Sequence, residues 1–177
     1  MSKYEEMARA AAEGRETWIL RRDSSARFIY QLLLRFGQAC GMPEGHLQVL
    51  LWDEKVGRFR GAAKPLPAVL SSTRYDIEND NWQAGVIVYL NNANQIPRLS
   101  ATFVLFVTDH DYKFTAKIGE SGKPLLVDLN VQTQAEQFFD TLTETIKEAA
   151  KEPVKRHRVT VHGFATAASS EQEPLLD

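Results

Sequence analysis

A chain of 177 residues with 44% hydrophobic and 25% charged residues is long enough for one packed domain and short for two. Lys and Arg total 21 against 23 Asp and Glu, and the resulting formal charge of -2 excludes a strongly basic nucleic-acid binder and an acidic tail protein. A single cysteine, Cys40, excludes an internal disulfide, and the absence of CxxC or His/Cys clusters excludes the usual zinc sites.

Ser2 followed by Glu5 is a capping-box spacing that starts a helix, with Tyr4, Met7, Ala8, Ala11, Arg15 and Trp18 at three/four spacing to about residue 20 or to a stop at Gly14. Asp23 and Ser24 are candidate caps of a second, stronger helix that carries Ala26, Phe28, Ile29, Leu32, Leu33, Phe36, Ala39 and Cys40. Gly41 and Pro43 stop it. From His46 the period changes: residues 47–52 (LQVLLW) and 58–61 (RFRG) read as a hairpin, and 61–67 as an extended connection with two prolines. A second hairpin joins residues around Tyr75 to 82–90 (WQAGVIVYL) across the turn residues 78–81.

After the polar loop 91–99, residues 101–108 (ATFVLFVT) are the most apolar stretch and read as a central strand. Asp109, His110 and Asp111 connect it tightly to the alternating strand 112–118, and a turn at 119–123 leads into strand 124–129. Thr133 and Glu136 repeat the capping-box spacing ahead of a helix with Ala135, Phe138, Phe139, Leu142, Ile146 and Ala149 on one face, ending before Pro153. The sequence thus predicts an α+β fold: N-terminal helices, a mostly antiparallel meander of about five to seven strands, and a C-terminal helix packed on the sheet. The domain is expected over 1–152, a basic arm or edge strand over 153–162, and a disordered tail over 163–177.

Strands 82–90 and 101–108 are apolar on both faces, Ile87 and Tyr89 lying opposite the Trp82, Val86, Val88 side, and Val104 and Phe106 opposite Phe103 and Leu105. A one-sided antiparallel sheet carries a polar outer face. The second face is therefore expected to be covered by a helix, by a second copy of the chain, or by a partner or ligand.

Three chemical readings compete. Asp109, His110 and Asp111 offer a metal site or an oriented general base for a hydrolase, against the simpler reading of a solvated hairpin turn. Lys151, Lys155, Arg156 and Arg158 form the densest basic cluster and suit phosphate contacts, with Phe59 and Tyr112 as stacking surfaces, against the reading of a solubilising edge. Cys40, on the apolar face near a helix C-terminus, reads as structural core. Neither a nucleophile elbow nor a phosphate-binding glycine loop occurs, so Ser24, Ser25, Ser71 and Ser72 identify no hydrolase.

The reading that follows is a non-enzymatic interaction or adaptor module, without cofactor, binding a protein partner through Ile87, Tyr89, Val104, Phe106 and the tail leucines Leu175 and Leu176. A homodimer is expected. No apolar run approaches the roughly 20 residues of a membrane helix, the first residues are charged, and with the lone cysteine these features point to a cytoplasmic protein without membrane contact.

Overall fold

Helix α1 runs from Lys3 to Ala39 without a break. It starts as the sequence dictates: Ser2 Oγ accepts from the Glu5 N–H at 3.2 Å, and the Glu5 carboxylate accepts from the Ser2 N–H at 2.6 Å. The computed structural model describes residues 2–60, 62–91, 99–111, 113–151 and 164–166.

The two expected N-terminal helices are therefore one. Neither candidate cap starts a new helix: Ser24 Oγ donates back to the Arg21 carbonyl at 3.0 Å, and Asp23 pairs with its neighbour Arg22 at 2.9 Å. The helix ends where expected, with Gly41 at φ 59° and the Met42 N–H reaching back to the Gly37 carbonyl at 2.9 Å. At 1.5 Å per residue α1 is about 55 Å long. Its second half buries Ser25, Phe28, Ile29, Leu32, Leu33 and Phe36, whereas residues 3–18 are exposed.

The sheet strands are β1 (Leu47–Leu50), β4 (Lys64–Pro65), β5 (Arg74–Asp76), β6 (Asn81–Tyr89), β7 (Ser100–His110), β8 (Lys113–Ile118), β9 (Leu125–Val127) and β10 (Phe164–Thr166). Their order is β4-β1-β6-β7-β8-β9, and β6 to β9 form the predicted antiparallel meander. β1 pairs with the second half of β6 and β5 with its first, so both lie along one edge of β6, while β10 extends the far side of β7 past the end of β8. Helix α3 (Gln132–Lys151) closes the fold, with Ala135, Phe138, Leu142 and Ile146 buried.

Register decides the layers. Directly paired residues share a face, so Val49, Val86, Phe103 form one row and Trp82, Val107, Ala116 another. These side chains are in one core with Phe28, Ile29, Leu32, Leu33 and Phe36 of α1 and Phe138, Leu142 and Ile146 of α3. Both long helices thus lie on the same side of the sheet, and neither covers the alternate row of Gln83, Val104 and Phe106.

The segment 47–60 departs from one simple hairpin. The strand leaves the main sheet at Leu51, and β2 (Trp52–Asp53) pairs with β3 (Arg58–Phe59) as a separate ribbon. The turn is made by Asp53, whose carbonyl accepts from Gly57 at 2.8 Å and whose carboxylate accepts from Lys55 at 3.0 Å. Arg60 Nε donates to Asp53 at 2.7 Å, and this hydrogen bond holds the Asp53 carboxyl below its ordinary range. The connection expected to be extended over 61–67 instead turns after β4 into a 3-10 helix, Leu66–Ala68, which leads into the short helix α2 (Val69–Ser72) that buries Val69.

Candidate binding groove on the open face of the sheet

The face that the helices leave uncovered carries a groove of about 780 Å³. Its floor is a single cross-strand row, Arg74–Gln83–Phe106–Lys117, in which each residue is paired with the next, continued by Val104. The β2–β3 ribbon forms one wall with Trp52, Arg58 and Phe59, and Glu120 and Pro124 line the opposite wall.

Gly85 is what allows the ribbon to come so close. A Cβ at residue 85 would lie 2.5 Å from Phe59 Cβ and 2.6 Å from Phe59 Cγ. Only a residue without a side chain leaves room for the ring over the central strand. The Trp52 ring meets Phe59 edge-on at 5.0 Å between centroids, and the Arg74 guanidinium lies 3.8 Å from the Trp52 ring centre. Across the floor, Lys117 Nζ sits 4.9 Å from the Phe106 ring centre and donates to the Glu120 carbonyl at 3.1 Å.

One end of the groove is a hydrogen-bonded amide cluster. Gln83 and Asn81 are buried. Gln83 Nε2 donates to the Asp76 carboxylate at 2.9 Å and to Asn81 Oδ1 at 3.2 Å, and Asn79 Nδ2 donates to Asp76 at 2.9 Å. The Asn79 side chain, followed by the backbone N–H groups of Glu78 and Asn79, holds the Asp76 carboxyl below its ordinary range. Asp76 is thus occupied internally. Among the described residues, Arg58, Arg74 and Lys117 have no carboxylate within ion-pair distance, so the groove offers cations over an apolar floor.

The sequence candidates distribute unevenly over this surface. Val104 and Phe106 are on the groove floor, half-buried. Ile87 is buried and presents no free surface; Tyr89, half-buried, is at the other end of β6, where its carbonyl bonds the His46 ring at 3.0 Å. Leu175, Leu176, Lys155, Arg156 and Arg158 lie outside the described residues, as does Tyr112; Lys151 is the last residue of α3. The Asp109-His110-Asp111 trio is not gathered into a site. Asp109 points to the helix side, its side chain 4% exposed and 4.0 Å from Arg21 Nε, whereas His110 ends β7 exposed and Asp111 takes the turn at φ 51°. Among the described residues no group of three or more His, Cys, Asp and Glu side chains is placed to hold a metal ion.

Cys40 corrects the core reading: it is the exposed C-cap residue of α1, 3.9 Å from Thr143 Oγ1. The groove residues that sequence reading passed over are Trp52, Arg74 and Asp76. Alternation was the available signal, since Arg74 and Asp76 bracket Tyr75 and so share the face opposite to it. Among the described residues no helix is long and apolar enough to cross a membrane. No family model, curated protein or solved structure matches the chain.

Proposed function

We propose that the chain is a non-enzymatic interaction module that engages a protein partner through the open face of its sheet. The observation that carries the reading is the groove itself: Val104 and Phe106 form an accessible apolar floor, with Arg58, Arg74 and Lys117 around it and no carboxylate paired to them among the described residues. Apolar anchors ringed by charged groups are the usual anatomy of a protein-binding patch.

A nucleic-acid ligand fits the groove less well. Base stacking needs a free aromatic face, and here Arg74 lies over Trp52, which in turn meets Phe59 edge-on. The test is quantitative affinity capture from cell lysate with the parent chain and with Arg74→Glu/Lys117→Glu. Proteins bound by the parent and depleted at least tenfold by the variant support the reading. An unchanged set of captured proteins contradicts it, as does a single-stranded oligonucleotide that binds the parent and is lost with the variant.

A second reading concerns self-association. Tyr4, Met7, Ala11, Gly14 and Trp18 continue, at three/four spacing, the row that Ser25, Phe28 and Leu32 bury lower on α1. Tyr4 is 74% and Met7 65% exposed, and a helix of this length gains little stability without tertiary packing. A second copy pairing along this row is the expected cover. Light scattering should give a dimer mass that falls to the monomer mass in Met7→Glu/Trp18→Glu; a monomer at every concentration of the parent contradicts it.

A further inference from the structure

We propose that the groove is occupied by the chain's own C-terminal segment, residues 171–177 (EQEPLLD), in an intramolecular contact that competes with the partner. The inference rests on the reading of the groove as a protein-binding site and adds the identity of one occupant. Charge complementarity selects the segment: Glu171, Glu173 and Asp177 bracket Leu175 and Leu176, matching carboxylates to Arg58, Arg74 and Lys117 and aliphatic side chains to Val104 and Phe106.

The cations are positioned for this. Arg74 is held at the groove with its guanidinium carbon 3.8 Å from the Trp52 ring centre, and a guanidinium is the side chain best suited to bind a carboxylate through two parallel hydrogen bonds. Lys117 is fixed over Phe106 by the ring and by the Glu120 carbonyl, beside the apolar floor.

Reach permits the contact within one chain. β10 pairs Thr166 with Ala101, and Val104 and Phe106 are three and five residues further along β7, about 10–17 Å away at the strand rise. The eleven residues from 167 to 177 span up to about 36–40 Å when extended. That length allows the chain to turn back along the sheet and still lay its last residues on the floor.

The experiment uses a fluorescently labelled peptide of residues 171–177, titrated onto the full-length parent and onto full-length Leu175→Asp/Leu176→Asp. The peptide should bind the variant at least tenfold more tightly than the parent, because the parent's own segment blocks the groove. Arg74→Gln or Lys117→Gln, each added to the variant, should weaken that binding at least tenfold, and unchanged melting temperatures should show that both fold. The difference between parent and variant should not depend on protein concentration. Equal binding to the two chains, or no binding to either, overturns the proposal while leaving the partner reading to the capture experiment. A difference that grows with protein concentration places the segment on a neighbouring copy and overturns the intramolecular contact.

Discussion

Phe59 sits over Gly85 so closely that a methyl group at residue 85 would come within 2.5 Å of the Phe59 Cβ. The contact lets a two-stranded ribbon fold onto the middle of the sheet, and the ribbon in turn brings Trp52 and Arg58 to the groove. Gly85→Ala should cost about 1–3 kcal/mol, the range for overpacking a close contact. Phe59→Gly removes all of the atoms in conflict, Cβ included, so the double variant should show a coupling of at least about 0.5 kcal/mol relative to the sum of the single changes. Denaturant unfolding of the four proteins measures this; additive losses would mean that the ribbon does not rest on Gly85.

Arg21 ties the middle of α1 to the far end of the sheet. Its guanidinium lies 4.0 Å from the Asp109 carboxylate and 3.7 Å from Asp80, and donates to the Asp109 carbonyl at 3.4 Å. Asp80 in turn accepts from the Tyr75 hydroxyl, and Tyr75 packs on Trp82, which packs on Trp18. The Asp109 side chain is only 4% exposed, so loss of Arg21 weakens the compensation of a poorly hydrated charge, although the 40% exposed Arg21 is partly screened by water. Arg21→Met should therefore destabilise by about 1–2 kcal/mol, and Arg22→Met, at an exposed pair, by less than about 0.5 kcal/mol. Equal effects in chemical denaturation would refute the assignment.

The Asn79 hydrogen bond, with the backbone N–H groups of Glu78 and Asn79, holds the Asp76 carboxyl below the ordinary carboxylate range. A group whose folded pKa is depressed adds stability above its unfolded pKa, and that stability is lost as pH falls through the folded value. The melting temperature of the parent should therefore decline between about pH 5 and 3 partly on account of Asp76. Asp76→Asn should lower the melting temperature at pH 7 and flatten the acid decline. A parallel shift at every pH would show that the carboxylate contributes nothing linked to its ionisation.

Much of the fold was legible because periodicity and turn chemistry act locally. The capping box of Ser2 and Glu5, the stop at Gly41 and the meander from β6 to β9 all follow from neighbouring residues. The misread features depend on contacts remote in sequence. Whether Asp23 and Ser24 cap a helix or continue one depends on the sheet that packs below Ser25 and Phe28, and whether the face carrying Phe106 is covered depends on both helices choosing the opposite side. For the groove, Val104 and Phe106 were readable as a surplus apolar row. Arg74 and Trp52, 22 residues apart, meet only because the ribbon leaves the sheet at Leu51.

Cys40 provides a direct check on the end of α1. An exposed thiol at a helix C-terminus reacts with an alkylating reagent in the folded protein, whereas a core thiol waits for unfolding. Native alkylation should be complete without denaturant and should leave the melting temperature unchanged. Protection from the reagent under native conditions would return Cys40 to the core.

The account's central claim, that the open face of the sheet is the partner surface, is tested most directly by placing a photo-reactive phenylalanine derivative at Thr108 on the groove and, separately, at exposed Glu148 on α3. Irradiation of cells expressing each full-length protein should give a discrete protein adduct from position 108 that disappears when Arg74→Glu is added, and none from position 148. An adduct from position 148 with none from 108, or one from 108 that survives Arg74→Glu unchanged, would contradict the claim.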